Sequence, residues 1–433
     1  MKSAVPALIA GLAAVLAACA AHAATLPYQS NDQHLGVASC ASSLCHGSVT
    51  PNPNYNVRLD EFVTWSHRDA HAKTFQALTS ERGRSIAAKL GLPSAESAKV
   101  CLDCHADNVA PAQRGTKFAL ADGVGCEACH GGAERWIASH ATAKATYQSD
   151  VGQGMYPSAN LGDRAQLCES CHVGNADKQA THTIMGAGHP RLGFELDTYL
   201  ALEPPHYISD ANYRRRKPTF NHAQTWVAGQ LQASALQLDL LQGSLLRGGS
   251  VFPELSLFNC SACHDSSMQR PEWRRRAMTE LTTPGMVPLN DAYWRMSWII
   301  ARAIDPREEA QVLMRVQTLQ RAVLDGRDQL AAQARELENV LRRLRQRVDG
   351  EVWTASRTSN VLESILQAGS DGEFRDYLGA EQAVMATELL LIERGQATRL
   401  RPQLDELYRL VKDVDTYRSA DFIAELRVLR AAL

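Results

Sequence analysis

Neither cysteine nor histidine occurs from Asp265 to Leu433, although the chain has 11 of one and 14 of the other. That gap excludes a thiol or imidazole site from the carboxy-terminal part and crowds such chemistry into the first 264 residues. Charge of one sign is also lacking. Lys and Arg total 45 against 47 Asp and Glu, a formal charge of −2, so there is no basic field of the kind nucleic acid requires and no partner of that class is expected. Aromatic residues make up only 6%. Apolar runs long enough to cross a bilayer, ~18–20 residues, are missing altogether.

The one sustained apolar run, Val5 to Ala18, follows Lys2 and precedes small residues, the layout of a secretory signal rather than of a mature helix. Two processing sites compete. Ala21-His22-Ala23 fits ordinary cleavage and makes residues 1–23 a signal peptide, whereas Leu16-Ala17-Ala18-Cys19 resembles a lipobox that would leave a lipid anchor on Cys19. Either places the mature protein in the periplasm, soluble or lipid-anchored.

For an exported chain rich in cysteine, disulfides are the plain expectation. The spacing argues for something else. Apart from Cys19, eight of ten cysteines fall into four copies of C-x-x-C-H: Cys101/Cys104/His105, Cys126/Cys129/His130, Cys168/Cys171/His172 and Cys260/Cys263/His264. Chance would supply on the order of 0.01 such motifs in a chain of this composition. Two thiols add to the two vinyl groups of one porphyrin and the next histidine reaches the iron, so the motif is the attachment signature of haem c. A disulfide scaffold or a zinc ribbon has no need of the trailing histidine. The remaining pair, Cys40 and Cys45, is followed by His46 but separated by four residues in "CASSLCHG". It reads as a fifth attachment site with a wider loop, the alternative being a local disulfide.

Attachment accounts for His46, His105, His130, His172 and His264. Once His22 of the signal is set aside, eight histidines remain, all in the same part of the chain, and five haems with an imidazole on each face would use five of them. His67 and His71 lie one helical turn apart in an expected helix, "DEFVTWSHRDAHAKTFQALTSERG", and only one is needed. His140 follows the 126–130 motif by ten residues, with Trp136 between, as a short helix crossing a porphyrin allows. His189 precedes Pro190 and follows Gly186 and Gly188, so its backbone is extended and can approach a flat ring closely. His206 follows two prolines; His34 and His222 stand in reserve. Met155, Met185 and Met268 are either axial sulfur ligands or packing.

At these residues the chain resembles the multihaem cytochrome family related to cytochrome c-554. The matching stretches are "GVASCASSLCHG", "TWSHRDAHAKTFQAL", "CLDCHA", "GVGCEACHGGAERWIASH", "LCESCHVGNADKQATHTIMGAGHPRLGFELDTY" and "FNCSACHD", spanning about residues 34–275. The resemblance implies periplasmic electron transfer through closely stacked haems, commonly ligated by two histidines. Carried over residue by residue, it points to His71, His140, His182 and His189 as distal ligands, with His206 as the fifth candidate.

The expected fold is mainly α: a pentahaem cytochrome domain over residues 24–290, in short helices and loops wrapped around the haems, then a helical region over 291–433. The porphyrins would supply much of the apolar interior of the first, so the haem-free chain should fold poorly. Clusters Arg214 to Lys217 and Arg274 to Arg276 either pair with propionates or form a solvated basic face. "TELTTPGMVPLND" reads as a linker. Beyond it, Leu337, Leu341, Leu344 and Val348, then Leu404, Leu407, Val411 and Val414, recur at helical spacing. They form a packing face or a docking surface. The function expected is an electron carrier serving redox protein partners or a membrane-associated complex. The alternative is a haem enzyme acting on a small nitrogen or sulfur compound; the absence of C-x-x-C-K, the lysine-ligated catalytic site of pentahaem nitrite reductases, weighs against it.

Overall fold

In this computed structural model residues 24–52, 57–205, 211, 215, 221–243, 253–264 and 286–433 are described. The signal segment, Cys19, His206, Met268 and most of the two basic clusters lie outside them. The described residues are helical and contain no strand, only the isolated bridges His34–Arg114 and Phe258–Leu289.

The amino-terminal part is a series of short helices joined by turns: α1 (Glu61–Arg68), α2 (Thr74–Leu78), α3 (Glu81–Lys89), α4 (Lys99–His105), α5 (Cys126–His130), α6 (Tyr147–Gly152), α7 (Leu161–His172), α8 (His182–Gly186) and α9 (Leu196–Leu202). Asp69 breaks the single helix expected from residue 60 onward. Its backbone is extended (φ −85°, ψ 132°) and its carboxylate accepts the His71 amide, so α1 stops at Arg68 and a fresh 3-10 turn, Ala70–Lys73, carries His71. His67 is left exposed on α1. Side-chain clusters here are small, one of Leu78, Ala87, Ala95, Leu102 and Ala106, another of Ala165, Phe194 and Leu196. So little buried apolar surface cannot offset the cost of ordering such a length of chain.

The main core lies elsewhere. It is built by α10 (His222–Leu240) and, after the attachment helix α11 (Ser261–His264), by α12 (Ala292–Ile304), α13 (Pro306–Ala322), α14 (Arg327–Gly350), α15 (Ala355–Ser370), α16 (Tyr377–Glu393), α17 (Arg401–Leu410) and α18 (Ser419–Ala431). Leu337, Leu341, Leu344 and Val348 are buried along α14, as are Leu404, Leu407 and Val411 further on. Val414 is not. It sits 57% exposed in a 3-10 turn, where the helical period has ended. The core also takes in Ala223, Trp226, Val227 and Leu231 of α10, so the helical unit starts well before the expected linker at 279–291.

α10 lies against α7, α9, α12 and α14. Gly229 permits this approach, because a Cβ there would come within 2.7 Å of Leu196 Cβ. Two donors from the helical unit, Tyr293 Oη at 2.9 Å and Gln382 Nε2 at 3.0 Å, share the carbonyl of Phe194, and Arg191 pairs with Glu381 at 2.8 Å. No helix among the described residues is long and apolar enough to cross a membrane.

Arg295, fully buried on α12, is paired with Asp291 one turn earlier and with Asp376 (Nη2 to Oδ2, 2.9 Å) at the start of α16. Asp376 also accepts the Gly379 amide at 2.8 Å. Removing the shared cation strands both buried carboxylates, so Arg295→Met should destabilise the helical unit by about 3–5 kcal/mol. Denaturant unfolding followed by far-ultraviolet circular dichroism measures this, and an unmoved midpoint would count against the triad.

Candidate haem-iron sites

On a helix, residues i, i+3 and i+4 share a face, and C-x-x-C-H places its two thiols and its imidazole there. Numbered along the chain, the attachment sites begin at Cys40 (site 1), Cys101 (site 2), Cys126 (site 3), Cys168 (site 4) and Cys260 (site 5). α4 and α7 end on the motif, α5 consists of it, and α11 closes on it with His264 N donating to Cys260 O at 2.9 Å. The wide motif keeps the same contact by another route. His46 N donates to Cys40 O at 3.2 Å, while Ser42 O accepts from both Cys45 N (2.8 Å) and Gly47 N (2.9 Å). The inserted residues therefore coil into a loop whose tip, Leu44, is 87% exposed. Gly47 is required because a Cβ would fall 2.0 Å from Ala41 O.

All ten attachment cysteines are free thiols, Cys40 and Cys45 among them. Eight are partly buried, as thiols that meet a porphyrin within the fold should be. Cys263 departs from that expectation. It is exposed, and so is Cys45. The reason is local: α11 is a single turn, Ala262, Cys263 and His264 all face outward, and only Cys260 turns toward the helical unit, where it lines a cavity with Arg191 and Tyr293. Cys263 is thus marked as an attachment residue by its place in the motif and not by its surroundings.

Four attachment histidines face four of the distal candidates. The ring centroids of His46 and His140 are 6.2 Å apart, of His105 and His189 6.2 Å, of His71 and His172 6.1 Å, and of His182 and His264 6.0 Å. The interplanar angles are 12°, 88°, 87° and 34° respectively. A constant separation at variable angle is what axial ligation demands: rings turn freely about the nitrogen–metal–nitrogen axis but keep their distance. A metal–imidazole bond of about 2.0–2.1 Å on each side, plus ~1.1 Å from nitrogen to ring centre, gives ~6.3 Å. The residues present thus fit a porphyrin iron between each pair.

Second partners hold these rings. Nδ1 of His46 lies 3.0 Å from Glu61 and that of His71 3.0 Å from Asp69. Nδ1 of His105, His140 and His189 meets the carbonyls of Thr74 (3.0 Å), Ile137 (2.7 Å) and Pro190 (2.7 Å). A proton held on Nδ1 leaves Nε2 for the metal. The carboxylates raise the pKa of His46 and His71, while burial lowers that of His189. Burial, and then the charge of His71, pushes His172 down to about 4. Phe194 stacks on the His172 ring at 4.9 Å and 23°, with Tyr199 edge-on at 5.4 Å.

Thiols from different motifs meet. Cys40 is hydrogen-bonded to Cys126, and Cys104 to Cys171, whose own thiol is held down to about 5 by that bond and then by Lys178. Cys129 lies within the influence of Cys168 and Cys171. Glu127, inside the 126–130 motif, clamps the approach to the first site by accepting Leu35 N and Gly36 N, both at 2.7 Å, and Ala133 N at 2.8 Å. Sites 1 and 3, 3 and 4, and 4 and 2 are therefore neighbours. His182 and His189, on and just after α8, join sites 5 and 2.

His140 is not set across from its neighbour His130 but opposite His46. His34 is fully buried with Nδ1 2.7 Å from Asp107, and His222 opens α10 bound to Asp197 at 3.0 Å. None of the four pairs involves Met155 or Met185. Glu61, Asp69 and Phe194 escaped sequence reasoning; only Asp69, two residues before His71, left a local trace.

Residues 39–131, which hold the first three attachment motifs and His71, match the family model for cytochrome c554 and c-prime. No curated protein and no solved structure matches the chain. The helical fold and this match support a c-type cytochrome, with covalently bound haem c, of the electron-carrying kind.

Placing a Cβ at residue 47 should force open the 41–44 loop. Gly47→Ala is expected to yield protein lighter by one haem, with the other attachment sites filled, as read by intact mass spectrometry.

Proposed function

We propose that this protein is an exported cytochrome with five haem c groups, passing electrons between redox proteins or to a membrane-associated complex in the periplasm. The observation that carries the reading is the set of four histidine pairs at 6.0–6.2 Å. Bound haem supplies an iron that exchanges single electrons between its ferric and ferrous states. The chain's own task is to prevent anything else. At the four paired sites two imidazoles would hold the iron, which would deny water or a small substrate access to the metal and leave little to rearrange as its charge changes. Nδ1 acceptors fix the rings, and stacked Phe194 shields His172.

The contacts between attachment motifs support an order 1–3–4–2, continued to site 5 through α8. The apolar run after Lys2 supports export, and His46 N on Cys40 O supports attachment at the wide motif.

Electron paramagnetic resonance of the oxidised holoprotein tests the reading. Near-parallel imidazoles split the two iron orbitals they overlap, whereas perpendicular ones leave them almost degenerate. His46/His140 should give a rhombic low-spin signal, and His105/His189 and His71/His172 strongly anisotropic ones. Mass spectrometry should find five haem additions. A high-spin component that shifts with nitric oxide or hydroxylamine would replace this reading with that of an enzyme.

A further inference from the structure

Three of the four pairs, at sites 1, 2 and 4, differ in what their Nδ1 protons meet. At site 2 both rings donate to neutral main-chain carbonyls, those of Thr74 and Pro190. At site 1 His46 faces the Glu61 carboxylate, and at site 4 His71 faces that of Asp69. Both acids bracket one helix: Glu61 is the first residue of α1, and Asp69 directly follows its last. Each is held in place by main-chain donors. Glu61 Oε1 accepts Arg58 N at 2.9 Å, and Asp69 Oδ1 accepts His71 N at 2.9 Å. Their side chains are only 16% and 7% exposed, so solvent screens them weakly. Glu203 adds a further acid beside His71, its ligand atom within 4.8 Å of those of Asp69 and His71.

We propose that Glu61 and Asp69 are positioning residues that set sites 1 and 4 at lower reduction potential than site 2. An imidazole whose Nδ1 proton is shared with an anion becomes a stronger base at Nε2. A more basic ligand stabilises the more highly charged ferric iron over the ferrous, and hydrogen bonding to the ligand shell is one of the levers by which a protein tunes a haem. A carbonyl dipole does the same about half as strongly, since bonds to charged groups are roughly twice as strong as neutral ones. Helix α1 thus presents one negative group to each of two sites, and electrons come to rest on site 2 in preference to sites 1 and 4.

This inference rests on the reading of the histidine pairs as iron ligands, and the test separates the two. Glu61→Gln and Asp69→Asn keep an acceptor oxygen and the side-chain size but remove the charge. In spectroelectrochemical titration of each holoprotein, one haem of the five should shift to more positive potential while the others hold. Unchanged or more negative potentials, in variants that retain five haems and low-spin signals, would overturn the tuning and leave the ligands intact. Loss of the low-spin signals in the unaltered protein would instead remove the ligand reading. The unaltered protein also supplies a check that needs no variant. Followed by paramagnetic resonance during reduction, the rhombic signal of site 1 should vanish after the first of the strongly anisotropic ones, and its vanishing first would refute the proposal.

Discussion

Everything in the amino-terminal half depends on the distance between two imidazoles. Residues that are far apart in the chain, 46 and 140, 71 and 172, 105 and 189, 182 and 264, are brought to 6.0–6.2 Å and held there at four different angles. Apolar clusters of five and three buried side chains could not do this unaided. A coordinate bond at each end of the gap could, and a porphyrin between would supply the interior that the chain lacks. Loops of roughly 80–100 residues closed in this way would lose much of their unfolded-state freedom, the entropic effect otherwise associated with crosslinks.

The carboxy-terminal helices are stabilised differently, by a side-chain core whose large members include Trp226, Trp294, Trp298 and Phe422. The two halves are nonetheless coupled at a specific place. Tyr293 and Gln382 fix the Phe194 carbonyl, and the Phe194 ring lies on His172. Packing in one half thereby bears on the ring of an attachment-motif histidine in the other.

How much of this was legible beforehand follows from how local each requirement is. Attachment needs thiols and imidazole within one turn, so its signature is contiguous and easily read; helix α14 was equally legible from its leucine spacing. Burial is not part of that signature, which is why the motif gave no sign that Cys263 stands exposed while Cys260 is partly covered. Pairing across a porphyrin joins distant segments, and nothing near His140 says that it answers His46 rather than His130. The break at Asp69 was hidden because its side chain competes with the helix for the His71 amide, a choice that periodicity does not register. Val414 continued a pattern whose helix had already ended, and α10 joined the helical core despite lying before the linker. Glu61 sits fifteen residues from the ring it contacts and had no local mark.

The interleaving of the histidine pairs also dictates a schedule for biogenesis. A chain delivered amino end first presents its attachment motifs in numerical order, yet coordination of site 1 must wait for residue 140, site 4 for 172, site 2 for 189 and site 5 for 264. Were each motif to take up haem as it arrives, site 2 would be loaded before site 4 but completed after it. During that interval His105 would be the sole protein ligand at its site, until the turn past α8 brought His189 to the other side.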